Sequence, residues 1–406
     1  MFAPVEPAAF LRIGIKGKMG YGQVGESNYA GNRPAWSPRR RSCHVRGVMR
    51  DMFLDKIVTG SGSSGSDIKA LKGGLPVVIY GDGWYAPYVR EFLGRAGVEV
   101  AGCFVDSGFT SSAGTVSFDE IKKRFGKFNV VIGFADFRLA RKKLAQKDSG
   151  QVAGVYFFDV MGALLDYNMD HAYVERHKEK FNLVHDMLCD ELSKQTYAAF
   201  LRSKLSGDAE GLYGVWRKDQ YFPEGVIGLT EREVFVDGGA YTGDTMLTFM
   251  RKTNGKYGKY YAFEPEPENA ANLSAKAGKR GLRDVSVVRK GLWSKAAVLP
   301  FAAAQGTTGS AISATGSASI EVDAIDDLAA DATFIKLDVE GAELEALKGA
   351  ASTIRRNKPK LAVCLYHKPG DLTEIPLFIK SLAPDYRFFL RQHQPVSCEL
   401  VLYAVV

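Results

Sequence analysis

VFVDGGAYTGDT, Val234–Thr245, is the stretch whose reading decides the fold. A short apolar strand, Val234–Val236, runs into Asp237. Gly238, Gly239 and Gly243 make the turn, and a helix-like run follows. The outline is that of a dinucleotide fingerprint, in which glycines let the backbone approach a pyrophosphate at a helix N-terminus. The spacing, however, is D-x-G-x-x-x-G, with Tyr241 where such loops place another glycine. Two carboxylates, Asp237 and Asp244, flank the turn. They oppose a pyrophosphate and favour a ligand with cationic groups, and S-adenosylmethionine, with an ammonium, a sulfonium and no phosphate, is such a ligand.

Downstream, AFEPEPENAANL (Ala262–Leu273) ends a second strand on Glu264, 27 residues after Asp237, and Pro265 stops the strand just beyond it. An acid there can accept hydrogen bonds from both ribose hydroxyls. Glu266 and Glu268 read as solvated helix-start residues favoured by the macrodipole. FIKLDVEGAELEALKGA (Phe334–Ala350) ends a fourth strand on Asp338, and Glu340 and Gly341 open a helix whose buried stripe carries Leu344 and Leu347. LAVCLYHKPGDL (Leu361–Leu372) brings His367 to the same rim. In open α/β sheets that rim, at the carboxyl ends of the strands, is where ligands bind.

Further strands are expected at Glu233–Val236, Lys259–Phe263, Val285–Val288, Thr333–Leu337 and Leu361–Tyr366. Tyr386–Arg391 and Cys398–Val405 close the chain as an antiparallel hairpin, and 297–322, rich in Ala, Ser, Thr and Gly, is left as an insertion. Upstream, strands at Val77–Tyr80, Val98–Val105, Lys127–Ala135 and Gly154–Val160 alternate with helical segments, which implies a second, smaller doubly wound parallel sheet. GDGWYA, Gly81–Ala86, matches G-x-G-x-x-A after the first of these strands, and Asp106 ends the next. Pro87, Trp84 and Tyr85 crowd that loop, so a role in assembly or in holding a substrate fits it better than NAD chemistry. The expected organisation is a basic arm and Gly/Ser linker (1–66), a Rossmann-like unit (67–167), a helical bridge (168–218) and a larger α/β unit (219–406).

Composition bounds the rest. An apolar fraction of 46% and an aromatic fraction of 11% suit ordinary packed cores. No apolar run approaches the roughly 18 residues of a membrane-spanning helix. Five scattered cysteines without a C-x-x-C pair argue for a reducing, cytoplasmic setting and against a structural zinc site. Residues 1–50 hold nine Lys or Arg against Glu6 and Glu26, which accounts for the whole net charge of +7. The arm reads as a disordered extension, or as a stretch upstream of a true start at Met49 or Met52. The balanced body gives no reason to expect nucleic acid as a partner.

Together VFVDGGAYTGDT, AFEPEPENAANL, IEVDAIDDL (Ile320–Leu328), FIKLDVEGAELEALKGA and the final strand pattern resemble the FkbM family of S-adenosylmethionine-dependent methyltransferases, over roughly 219–400. Members with an added nucleotide-binding-like N-terminal unit look similar over about 75–230, including DQYFP (Asp219–Pro223). The resemblance implies a class I methyltransferase fold and methyl transfer to a hydroxyl oxygen, often of a sugar, glycan or other small metabolite. By position, Asp237, Gly238, Gly239, Ala240, Gly243 and Asp244 would line the methionine moiety, with Asp237 near the ammonium. Glu264 and Pro265 would hold the ribose, and adenine would lie near Lys290–Leu292. Asp338 and Glu340 would face the methionine end or the incoming hydroxyl. His367 is the candidate base, because its ordinary pKa suits neutral pH. Tyr221 would close over the cofactor or pack at the seam. No complete metal-ligand set is legible. Two other readings stand beside this one: a non-enzymatic binding or scaffold protein, and an NAD(P)-dependent enzyme using the Gly81 loop.

Overall fold

The computed structural model describes residues 64–406 except 109–113, 148–149, 162–168, 303–310, 313–315 and 317; the basic arm lies outside the described residues. Five short strands form the first sheet: β1 (Val77–Tyr80), β2 (Val100–Val105), β3 (Thr115–Ser117), β4 (Phe128–Ile132) and β5 (Val152–Tyr156). Their order is β3-β2-β1-β4-β5, all parallel. Both faces are covered by helices, and the central strands β1 and β4 are continuously apolar and buried, as a doubly covered sheet demands.

The fifth strand sits two residues earlier than expected and stops at Tyr156. Backbone groups of the next segment go elsewhere: buried Tyr85 donates its hydroxyl to Phe158 O (2.8 Å) and accepts from Val160 N–H (3.1 Å). Those residues are apolar and buried, but a side chain takes the hydrogen bonds a ladder would have used.

Helices His171–Arg176, Lys178–Met187, Glu191–Ser206 and Glu210–Val215 follow, in the region whose three- and four-residue apolar spacing predicts helix. Helix Glu191–Ser206 begins on an Asp190 cap, packs on the edge of the second sheet and holds buried Arg391 through Asp190 (2.6 Å), while Ser193 accepts from Leu390 N–H. Asp159, just beyond the first sheet, accepts from Ser203 Oγ and from Ser397 N–H, tying the bridge and both sheets together.

The second sheet contains β6 (Val234–Gly238), β7 (Lys259–Phe263), β8 (Val285–Val288), β13 (Phe334–Leu337), β14 (Lys360–Cys364), β15 (Arg387–Gln392) and β16 (Leu400–Val405), in the order β15-β16-β14-β13-β6-β7-β8. Only β16 runs opposite to the other six strands. Chain order reverses between β6 and β13, which opens a crevice at their carboxyl ends. The β6–β13 register pairs Asp237 with Lys336 and Gly238 with Leu337. Residues 297–322 are not a bare insertion. β9 (Gly291–Leu292), β10 (Ala297–Ala302), β11 (Ala311–Ile312) and β12 (Ala318–Asp323) form a small sheet in the order β11-β10-β12-β9. Along it Val298 is exposed, whereas Phe301 and Val322 are buried. Among the described residues no helix is long and apolar enough to cross a membrane.

Candidate active site

The glycine loop leaves β6 and turns through three left-handed residues, Gly239 (φ 73°), Tyr241 (φ 48°) and Gly243 (φ 82°), before helix Asp244–Lys252 begins. At Gly239 the glycine is obligatory, because a Cβ would lie 1.8 Å from the carbonyl oxygen of Asp338. The loop therefore closes directly on the end of β13. Its N–H groups face inward: Gly239 and Ala240 both donate to Phe263 O (3.1 and 3.0 Å), and Tyr241 donates to Glu264 Oε2 (2.9 Å). A phosphate needs such donors aimed outward, so their consumption, more than the flanking acids, removes the anion cradle. Asp244 is exposed at the helix start, where its charge suits the macrodipole.

The Asp237 carboxylate is turned inward. Its side chain is fully buried, Lys336 Nζ lies 3.0 Å from its Oδ1, and Tyr260 donates its hydroxyl to Oδ2. The strand register makes this pair, and Lys336 completes its bonding by donating to Gly238 O (3.0 Å) and Gly239 O (2.9 Å). An internal ammonium thus stands where the sequence suggested a ligand's. Burial opposes the charge on Lys336, but Asp237 and then Asp338 hold its pKa above the ordinary lysine value. Burial pushes the Asp237 carboxyl upward against the pull of Lys336 and Tyr260. Lysine keeps the proton, and the pair clamps the loop.

Glu264, 6% exposed, sits at the end of β7 and accepts from Tyr241 N–H and Glu266 N–H (2.9 Å each). Burial raises its pKa, the two N–H groups only partly offsetting it. Glu266 is buried as well, holding Asn269 at 3.1 Å, so the expectation of a solvated residue fails there, whereas Glu268 is exposed. Pro265 lines a groove of about 340 Å³ with Glu266, Arg289, Phe301 and Ile320, floored partly by the small sheet. Lys290 is drawn to Asp323 (2.8 Å), and Leu292 packs against Gly238.

Asp338 accepts from Tyr221 Oη (2.8 Å) and Tyr366 Oη (3.1 Å). Tyr221 adopts φ 65°, lies over Lys336 with its ring centroid 5.1 Å from Nζ, and donates its N–H to Tyr403 Oη. His393 completes that line, one ring nitrogen 2.8 Å from Tyr403 Oη and the other 2.8 Å from Arg217 O. Burial holds His393 down at about 4, hence neutral. Tyr221 therefore reaches into the site, supported from behind.

Glu340 (φ 53°) and Gly341 (φ 90°) form a tight loop, a strained position for a non-glycine residue of the kind that collects at functional sites. His367, with a side chain 8% exposed, lies among carboxylates: Nδ1 is 3.0 Å from Glu343 Oε1, and Nε2 is 3.4 Å from Glu340 Oε2 and 3.7 Å from Asp338 Oδ1. Burial disfavours its charge, but Glu343, Glu340 and Asp338 outweigh burial and push its pKa up to about 10. In this state His367 is a cation at neutral pH, which removes the ground on which the sequence made it the base. Burial raises Glu340 to about 8, with His367 opposing and Asp338 and Glu343 adding. Asp371 and Glu399, both raised to about 7 chiefly by burial, extend the acidic cluster. The sequence reading missed Lys336, Glu343, Asp371 and Glu399. Lys336 was findable, since a lysine inside an apolar strand needs a buried partner.

The first glycine loop is spent internally. Asp106, which a ribose would need, is held by Lys143 (2.8 Å), Lys147 (2.5 Å) and Tyr80 (2.9 Å). Burial opposes its charge, but these donors bring its pKa down to about 2. Thr115 binds Asp82 (2.9 Å), and a Cβ on Gly81 would collide with Phe134.

Residues 237–394 match the family model for the methyltransferase FkbM domain, a span that begins at Asp237 and takes in Glu264, Asp338, Glu340 and His367. No curated protein matches the chain. Among solved structures the chain is similar to the methyltransferase FkbM from Methylobacillus flagellatus KT, with 24% identity and a TM-score of 0.66 over 88% of this chain and 99% of that one. It also aligns over 43% of its length with an rRNA methylase from Streptococcus thermophilus (14% identity, TM-score 0.28, 87% of that chain). A SAM-dependent methyltransferase from Aquifex aeolicus aligns over the same share (18% identity, TM-score 0.28, 84% of that chain). The first likeness shows the fold: the seven-stranded sheet is that of a class I methyltransferase.

Proposed function

We propose that this chain is an S-adenosylmethionine-dependent methyltransferase acting on a hydroxyl oxygen of a small molecule, a sugar or glycan above all. The observation that carries the reading is the crevice between β6 and β13: a glycine loop with its N–H groups turned away from any phosphate, closed on Asp338 and flanked by Glu264 and a carboxylate cluster. The residues fit the donor. Glu264 has lone pairs left for ribose hydroxyls beyond the two N–H groups it accepts, and Asp338 with Glu340 offers negative potential to a sulfonium. When bound, the donor supplies an electrophilic methyl group.

What the chain adds is position and proton management. Holding the acceptor oxygen in line with the methyl is worth up to roughly 7–11 kcal/mol, against about 10²–10⁴-fold for a general base. Tyr221 and Tyr366 fix Asp338 from two sides. Glu340, raised to about 8 by burial and with its side chain 32% exposed, can take the acceptor's proton in its carboxylate form, which is populated as pH rises through about 8. Tyr88, on the helix after the first glycine loop, has its hydroxyl raised by burial and then by Glu340 and Cys398.

The test is turnover. Full-length protein is incubated with methyl-labelled S-adenosylmethionine and panels of monosaccharides, glycosides and simple alcohols, with labelled product and S-adenosylhomocysteine both measured. Label on a hydroxyl-bearing acceptor, abolished by Gly239→Ala, supports the reading. Label transferred to amines or thiols alone would refute the oxygen assignment.

A further inference from the structure

The cluster behind Asp338 holds more than a salt-bridged histidine needs. One carboxylate oxygen of Asp338, one of Glu343 and one ring nitrogen of His367 all lie within 4.8 Å of one another. Glu343 Oε1 accepts from Val339 N–H (2.8 Å) and Gly341 N–H (3.4 Å), so the loop holds the carboxylate still. Its other oxygen, on a side chain 0% exposed, has no hydrogen-bond partner. Neither nitrogen of His367, 8% exposed, makes an aligned hydrogen bond, although both stand within ion-pair distance of carboxylates. Buried polar atoms normally find partners, so the unpartnered Glu343 oxygen and an imidazole nitrogen of His367, gathered beside Asp338, call for a missing occupant.

We propose that Asp338, Glu343 and His367 form a binding site for a divalent cation at the edge of the methyl-transfer crevice. One imidazole and two carboxylates suit a manganese- or magnesium-like ion that keeps several waters. Entry is open on the side where Asp338 and Glu340 remain 20% and 32% exposed. The chemical role rests on the function proposed above. Held by Asp338, Glu343 and His367, the cation would supply Lewis acidity to an acceptor hydroxyl.

Manganese itself is the probe. Full-length protein stripped with a chelator is titrated with MnCl2 and followed by electron paramagnetic resonance of the free ion and by calorimetry. One Mn²⁺ per chain is expected, with binding weakened more than about tenfold in His367→Ala and in Glu343→Gln and unchanged in Glu268→Gln. Electron-spin-echo modulation of the bound ion should show coupling to an imidazole ¹⁴N, a readout that needs no variant to fold. Absence of stoichiometric binding, binding that survives both substitutions, or bound Mn²⁺ without nitrogen coupling would each overturn the proposal. Because no methyl donor is present, its failure is distinct from failure of the methyltransferase reading.

Discussion

Replacing Lys336 by methionine isolates the clamp on the glycine loop. The side chain keeps its length and packing, but Asp237 is left fully buried without its cation, and Gly238 O and Gly239 O lose their donor. Breaking a buried pair from one side costs about 3–5 kcal/mol. A second route to the magnitude is to let Asp237 neutralise itself. At about 1.4 kcal/mol per pKa unit, protonating an ordinary aspartate costs about 4 kcal/mol at pH 7 and about 1.5 kcal/mol at pH 5. The two figures agree at neutral pH, and the second adds a sign. In the variant the folded state binds a proton that the unfolded state does not, so stability falls as pH rises from 5 to 7. Chemical denaturation of wild type and Lys336→Met at both pH values should show a penalty of about 4 kcal/mol shrinking to about 1.5. Asp237→Asn/Lys336→Met should recover more than half of the loss at pH 7. A penalty below about 1 kcal/mol, one independent of pH, or a double variant as unstable as the sum of its singles would refute the internal clamp.

Gly239→Ala places a methyl group 1.8 Å from Asp338 O at φ 73°, so it should cost at least about 2 kcal/mol in denaturation and abolish donor binding in calorimetry. Glu264→Gln keeps the shape but loses a charged acceptor, a difference of about 1.5–3 kcal/mol. Donor binding should weaken about 10- to 150-fold, and the melting temperature should fall as well, because the new amide NH2 replaces the acceptor of Tyr241 N–H or of Glu266 N–H. For His367, the folded pKa is raised to about 10. Its stabilisation should therefore be complete below its unfolded pKa of about 6.5 and fade as pH rises through about 10. In chelator, the stability gap between wild type and His367→Gln should close over that interval; a constant gap would show that His367 is not held protonated.

The strand-end residues were legible because strand, turn and helix signals punctuate them: Lys259–Phe263 and Val285–Val288 lie where the apolar runs place them. What escaped depends on register and on distant partners. Asp237 carries the same loop signature whether it faces a ligand or a lysine, and only the pairing of β6 with β13 decides between them. His367 looks like a base until Glu343, 24 residues earlier on another element, comes within 3.0 Å. Glu266 sits at a helix start like any solvated acid, and its burial comes from its own Asn269 and the groove around Pro265. The small sheet over 297–322 escaped because its strands are short and separated by a stretch rich in glycine, serine and threonine. The Gly81 loop shows the reverse: its match to the dinucleotide pattern is cleaner, yet Lys143, Lys147 and Tyr80 already hold the acid a ribose would need.

The central claim is that the crevice between β6 and β13 binds a sulfonium nucleoside and not a pyrophosphate. Isothermal titration of the full-length protein with S-adenosylhomocysteine, and separately with NAD, tests it most directly. The account predicts one S-adenosylhomocysteine site per chain, lost in Gly239→Ala, and no heat with NAD. Saturable NAD binding that survives Gly239→Ala, together with silence toward S-adenosylhomocysteine and S-adenosylmethionine, would contradict it.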